Sequence, residues 1–400
     1  MQREPDISKL RTMFTLSQGA SRPGHRRGLK SQGYVHPDLQ KEKETSHEYS
    51  SPTISKHYFN FLYPIGKGGF GRVWKVELKK VKRLFAMKAM SKLRIVSKRS
   101  VHSVMNERKI LSVLRHPLIV NMQFAFQDRE NLYLVMDLMP GGDLRYHIGK
   151  VRRFSEEQTR FFVACIVSGL EYIHANGIIH RDIKPENLVL DSKGYVRITD
   201  FGIARVFNPE NSQDTSGTPG YMAPEVMCRM NHGYVADYFA LGVIVYEFMM
   251  GRRPYNGKNR KEIRDQILAK QVQIKRQEIP EGWSIEAADF ANKMLMRKAD
   301  HRLGAKGAKE LKAHPWLQDF PWKELKDKTL EAPFRLTTED NFDPRVGGEW
   351  KDEIDPTIEQ DSIQSLFSGY FFDFRMSAAK PPESTLEYRK FSLSSKISCI

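Results

Sequence analysis

Asp182 and Asn187 lie five residues apart in His180-Arg-Asp-Ile-Lys-Pro-Glu-Asn187, and Asp200-Phe201-Gly202 follows shortly after. Two carboxylates and an amide at this spacing suit phosphoryl transfer, which needs little covalent chemistry and much charge management: magnesium held against nucleotide phosphates, and a carboxylate to take the hydroxyl proton. Asp182 would orient and deprotonate an acceptor hydroxyl. Asn187 and Asp200 would bind the metal. Lys184 would neutralise charge building on the moving phosphoryl group.

Either tripeptide alone also reads as an ordinary turn, so order and spacing carry the argument. Leu188-Val-Leu190, Asp191-Ser-Lys-Gly194 and Tyr195-Val-Arg-Ile-Thr199 read as strand, turn and strand, a hairpin that brings the acidic groups to one edge. In this order the motifs resemble the eukaryotic protein kinases, and Lys184 in the first is similar to the serine/threonine branch. The resemblance implies an α+β, two-lobed protein kinase fold: a small β-rich lobe with one regulatory helix, a larger mainly helical lobe, and an ATP cleft between them.

The elements that must position these groups begin upstream. Gly66-Lys67-Gly68-Gly69-Phe70-Gly71 is a glycine-rich loop, and Val73-Trp-Lys-Val-Glu-Leu78 after it alternates as a strand. A dinucleotide-binding fold would place a helix there instead. Glycines at 66, 68 and 71 would let backbone N–H groups approach nucleotide phosphates, with Phe70 capping the loop tip. Lys88 in the apolar strand Ala86-Met87-Lys88 is either a solvated edge residue or a buried charge that needs a partner. Glu107 is the expected partner, amid apolar positions 104, 105, 110, 111 and 114 at helical spacing. In kinases such a pair aims the lysine at the phosphates and breaks when the helix swings out. The resemblance also adds Ile65, Val73 and Ala86 to the ATP-contacting residues. It implies a hinge at Met136 to Gly142, Met136 as gatekeeper, and adenine bonds from the backbone of Asp137 and Met139.

Composition fits a globular protein, with 40% hydrophobic and 28% charged residues in 400. Three cysteines are too few for a disulfide framework, no secretory leader pattern opens the sequence, and Met1-Gln2 does not fit N-myristoylation. A cytoplasmic protein is expected. The longest apolar run, Tyr238 to Gly251, is short for a membrane span and carries Glu247. Net charge is +16, from 64 basic and 48 acidic residues, but no aromatic-interleaved basic stripe or nucleic-acid motif accompanies it, so no nucleic-acid partner is expected.

Four segments are expected. Residues 1–57 form a polar, largely disordered extension in which Ile7, Leu10 and Phe14 could line a short helix; membrane contact there has no other support. Residues 58–317 form the kinase domain, with a small lobe over 58–137 and a large lobe over 140–317, and 318–400 form a tail. Ser155 and Gln158 predict a capping box opening a helix that Gly177 ends. Arg302-Leu-Gly304, His314-Pro-Trp316 and Lys328-Thr-Leu-Glu-Ala-Pro333-Phe334 are similar to the AGC group, nearest to the cyclic-nucleotide-dependent kinases. That likeness implies a tail crossing the nucleotide cleft at Phe342, and a hydrophobic motif at Phe371-Phe-Asp-Phe374 docking on the small lobe. It also implies a Glu225–Arg302 ion pair, Asp237 holding the catalytic-loop backbone, and any cyclic-nucleotide control coming from a regulatory protein in trans. Asp143, Glu186 and Glu247 match residues with which basophilic relatives bind substrate arginines, implying protein substrates with Arg or Lys near the acceptor and a preference for Arg at the second and third positions before Ser or Thr.

Two departures stand out. Asp214 occupies the usual place of an activating phosphothreonine, whose phosphate Arg181 and Arg205 would grip. Arg375 follows the expected hydrophobic motif where a Ser or Thr is common. The alternative to an enzyme is a catalytically silent kinase-fold scaffold, and its usual sign, loss of metal or phosphate groups, is missing here.

Overall fold

The computed structural model describes residues 54–336 and 361–377. Phe342 and the residues around it, the 1–53 part of the N-terminal extension and Cys399 lie outside the described residues.

The strands are β1 Phe59–Lys67, β2 Gly71–Leu78, β3 Arg83–Ser91, β4 Met122–Gln127, β5 Asn131–Asp137, β6 Ile178–Ile179, β7 Leu188–Leu190, β8 Val196–Ile198, β9 Arg205–Val206 and β10 Phe372–Asp373. The helices are α1 Lys92–Ser97, α2 Val101–Val113, α3 Leu144–Val151, α4 Glu156–Ala175, α5 Pro224–Met227 and α6 Val235–Met250. They continue with α7 Arg260–Ala269, α8 Ile285–Met294, α9 Ala308–Lys312, α10 Trp322–Asp327, α11 Asp361–Ser365 and α12 Phe374–Ser377.

Five strands of the small lobe form an antiparallel sheet in the order β1-β2-β3-β5-β4, and β10 from the tail adds a sixth strand on β4. Period-two alternation divides β5 between two cores: Leu132 and Leu134 join the main core, while Tyr133 and Val135 join a smaller cluster with Phe59, Val76 and Phe85. The strand after the glycine loop is present as expected, and the reason for Gly71 is packing. A Cβ there would stand 1.8 Å from the Ala89 carbonyl on β3.

The small lobe carries two helices, α1 as well as α2, where one was expected. The Ser91 hydroxyl accepts from the Arg94 amide and opens α1. Lys92, 1% exposed, anchors it by donating to the Asp128 carbonyl and Gln364, each at 2.7 Å. A lysine at this point hid the helix from a pattern read on apolar spacing.

In the large lobe the Ser155–Gln158 capping box forms, and Gly177 follows the cap of α4 at φ +74°. Helix α6 is buried along nearly its whole length, so its apolar character reflects a central position in the core. No helix among the described residues is long and apolar enough to cross a membrane.

The tail corrects the expected hydrophobic-motif register by four residues. Phe367 and Tyr370 are the buried anchors, at 0% and 1% exposure, whereas Phe371 is 39% exposed. The Lys92 ammonium lies 5.4 Å from the Phe367 ring centroid, Gln127 donates to the Phe367 carbonyl, and Arg108 donates to the Gly369 carbonyl. Phe374 packs on the opposite face of the sheet, edge-on to Phe124. Several aromatics three apart satisfy the same pattern; Gly369, at φ +74°, makes the turn that selects the earlier pair.

Candidate active site

The β7–β8 hairpin forms as expected, with Asp191 Oδ1 accepting the Lys193 and Tyr195 amides and Gly194 at φ +81°. The Thr199 amide donates to the Asn187 carbonyl at 3.0 Å, so the hairpin brings the stretches bearing Asp182, Asn187 and Asp200 to one edge.

The Asp182 carboxylate is held by four donors. Oδ1 accepts from the Thr218 hydroxyl at 2.7 Å and its amide at 3.1 Å; Oδ2 meets Lys184 Nζ at 2.7 Å and Asn187 Nδ2 at 3.0 Å. Lys184 also donates to the Thr218 hydroxyl at 2.8 Å. Asn187 uses Nδ2 for Asp182 in both of these side-chain and main-chain bonds, which turns Oδ1 to other uses. The pairing role of Thr218 escaped sequence reading, because its partners lie 36 and 34 residues away.

The catalytic loop is fixed from below. The buried Asp237 carboxylate accepts the His180 and Arg181 amides at 3.0 and 2.8 Å and meets His174 Nε2 at 2.8 Å, as the resemblance implied. Arg181 and Asp200 both have positive φ, 69° and 62°, which non-glycine residues rarely adopt. The His180 ring stands edge-on to Phe201, 5.0 Å between centroids, with Phe201 1% exposed in the main core.

Lys88 Nζ sits 3.0 and 3.1 Å from the two Glu107 oxygens, so the strand lysine and helix glutamate form the expected pair. Burial works against the Lys88 charge, but Glu107 and Asp200 together outweigh it and raise its pKa. Burial also crowds the Asp200 carboxyl; Lys88 and the Gly202 amide overcome this and hold its pKa below the usual carboxylate range. Ser103 and Asn106 on α2 bond the Gly202 and Ala204 carbonyls, which ties that helix to the loop carrying Asp200.

In the glycine loop, the Gly68 amide donates to the Gly71 carbonyl at 2.8 Å, so it is spent within the loop rather than aimed at a phosphate as expected. Lys98 donates to the Gly69 carbonyl and lies over the Phe70 ring, which braces the tip. Gly66 and Lys67 close β1 and pair with Val73 and Arg72 of β2, with Ile65 just before them. Ala86 is buried and pairs with Met136 across β3 and β5. The Asp137 amide donates to the Asn121 carbonyl at 3.1 Å. Met139, midway along the hinge segment, is buried.

Asp143, Glu186 and Glu247 do not act as one group. Asp143 caps α3, accepting the Tyr146 amide at 2.8 Å, and burial raises its pKa. Glu186 and Glu247 converge on Arg145, at 2.9 and 2.8 Å. Glu225 and Arg302 form a buried two-bond pair at 2.7 and 2.9 Å, joining the loop after Thr218 to the helical lobe; breaking such a pair typically costs about 3 to 5 kcal/mol. Arg181 Nη1 lies 3.3 Å from Asp214 as an ion pair, and both Nη1 and Nη2 are buried without a hydrogen-bond partner. Arg205 donates to the Ala204 carbonyl.

A β-rich lobe over a helical lobe, with a lysine–glutamate pair facing a carboxylate-and-amide loop, defines a protein kinase. Residues 59–317 match the protein kinase domain family, and the chain belongs to it. It is 36% identical over 340 residues to a probable serine/threonine-protein kinase of Dictyostelium discoideum, spanning 82% of this chain and 73% of that one. It is 37% identical over 311 residues to Protein kinase 2 of the same organism, spanning 77% and 62%. To the serine/threonine-protein kinase sgk-1 of Caenorhabditis elegans it is 37% identical over 287 residues, spanning 70% and 61%. Within the family the chain is a protein-serine/threonine kinase.

Proposed function

We propose that this kinase transfers the γ-phosphoryl group of ATP to serine or threonine hydroxyls of proteins, with residues 58–317 as catalytic domain and 318–400 as an AGC-type tail. The observation that carries the reading is the Asp182 carboxylate gathered by Lys184, Asn187 and Thr218. The donor set fits Mg2+: Asp200 is kept ionised and Asn187 Oδ1 is a neutral oxygen, hard ligands that suit an ion keeping most of its other contacts with water and phosphate. When bound, the ion would neutralise phosphate charge. Lys88, aimed by Glu107, would bind nucleotide phosphates. Asp182 would accept the hydroxyl proton, and Lys184 would offset charge on the transferred group.

The docked Phe367–Tyr370 segment supports the AGC affiliation, and the cyclic-nucleotide-dependent likeness rests on the motifs of the helical lobe and tail. Glu186 and Glu247 are the carboxylates on which a preference for basic residues before the acceptor would rest, and Arg145 of the chain engages both. Free cysteines and ATP dependence support work inside the cell. The Asp214–Arg181 contact supports basal activity without activation-loop phosphorylation.

Phosphate transfer from labelled Mg-ATP to serine peptides, alongside thermal stabilisation by Mg-ATP, tests the reading. Asp200→Ala is expected to lose transfer by a factor of a thousand or more on the order of what removing a metal-held phosphate contact costs. Equal labelling by both proteins would refute it.

A further inference from the structure

Arg145 lies two residues beyond the cap of α3, with its side chain one-third exposed at 33%. Its Nε donates to Glu186 at 2.9 Å, Nη1 to Glu247 Oε1 at 2.8 Å, and Nη2 to Glu247 Oε2 at 3.2 Å and to the Tyr221 hydroxyl. The Tyr221 hydroxyl in turn donates to Glu247 at 2.6 Å. Two acidic side chains from different elements are thus spanned by one planar guanidinium, each face of whose fork is satisfied.

This cluster borders the reacting centre. Glu186 shares the catalytic loop with Asp182, and Tyr221 follows closely on Thr218, which bonds Asp182. Burial opposes the Arg145 charge, yet the bonds to Glu247 and Glu186 prevail and raise its pKa, so the guanidinium stays charged.

Resting on the kinase reading, we propose that Arg145 is a specificity-determining residue: it fills, from within the chain, the acidic subsite that would otherwise take a substrate arginine. The three groups sum to −1 rather than −2. A substrate arginine entering here must displace an equivalent guanidinium, so the exchange conserves the number of charge-assisted bonds and gains little. With Arg145 removed, both carboxylates lose this cationic partner, Glu247 keeping the Tyr221 hydroxyl, and a substrate arginine gains bonds worth about 1.5 to 3 kcal/mol, roughly tenfold or more in selection. The acceptors preferred by the unaltered chain therefore carry a neutral or variable residue at this position.

The test uses the full chain and two peptides that differ only in Arg or Ala at the second residue before the serine. For the unaltered protein the ratio of kcat/KM values, Arg over Ala, is expected to stay below about threefold, on the scale of an exposed ion pair. Arg145→Met keeps the apolar stem and is expected to raise the ratio about tenfold, through KM, as one charge-assisted bond predicts. Adding Glu247→Gln should bring it back toward one. A role as a structural strut alone would lower transfer to both peptides and leave their ratio unmoved, which would overturn the proposal. So would a tenfold arginine preference in the unaltered protein, a measurement that decides the matter even if Arg145→Met fails to fold. Arg145→Lys, which keeps charge without the fork, is expected to fall between. Absence of any Asp200-dependent transfer would instead overturn the kinase reading, and this assignment with it.

Discussion

Asp214 stands where a phosphate would carry nearly two charges, and its single carboxylate reaches Arg181 only as a 3.3 Å ion pair, leaving both terminal guanidinium nitrogens buried short of a hydrogen bond. The substitution is a partial one in geometry as well as charge. Asp214 is 49% exposed, so the pair is worth at most about 1 kcal/mol. Phosphatase-treated protein should keep its activity, and Asp214→Ala should lower it by about fivefold at that energy, read from initial rates on one peptide. Abolition by phosphatase, with phosphate mapped to Thr215, would show that the aspartate does not serve. Residues whose roles follow from local spacing, such as Asp182 with Asn187 or Ser155 with Gln158, were legible in the sequence. Thr218 and Arg145 were not, because each is defined by partners that only folding brings near.

Among the elements, the tail segment 361–377 shows how one aromatic pattern can dock in two ways. Phe367 sits against Lys92 of α1, and Tyr370 is buried close enough to Glu107 of α2 for that carboxylate to help raise its pKa after burial. The segment therefore braces the helix that presents Glu107 to Lys88. Phe367→Ala is expected to cost about 3 kcal/mol or more, whereas Phe371→Ala, at an exposed site, should stay within about 0.5 kcal/mol. Chemical denaturation of the two variants side by side checks this; equal losses would restore the later register. The second small-lobe helix was hidden for a related reason. Its anchor is a lysine whose burial depends on Gln364, a residue of the tail.

At the scale of the whole molecule, the partly buried His116 is held in a neutral state. It stacks on Tyr172 of α4, 4.8 Å between centroids, and its Nδ1 accepts the Leu118 amide, a bond the protonated ring cannot make. Burial, with Lys326, Lys312 and Lys328 nearby against Glu171, lowers its pKa to about 4. Because the folded value lies below the unfolded one, this contribution is complete above about pH 6.5 and is lost as pH falls through 4, on the order of 2 to 3 kcal/mol. His116→Asn keeps an acceptor without titrating, so its stability should fall less steeply between pH 6.5 and 4; an unchanged slope would assign the acid loss elsewhere. By itself the amino-acid order determined the reaction class, the two-lobed architecture and the pairs whose partners belong to recognised motifs, since motif spacing and hydrophobic period act over a few residues. The tertiary structure alone decided which aromatics of the tail dock, which amide of the glycine loop is spent, and that an arginine of the chain occupies its own acidic subsite. Those outcomes depend on side chains meeting across tens to hundreds of residues, where competing partners differ by a few kcal/mol and only the packed geometry chooses between them.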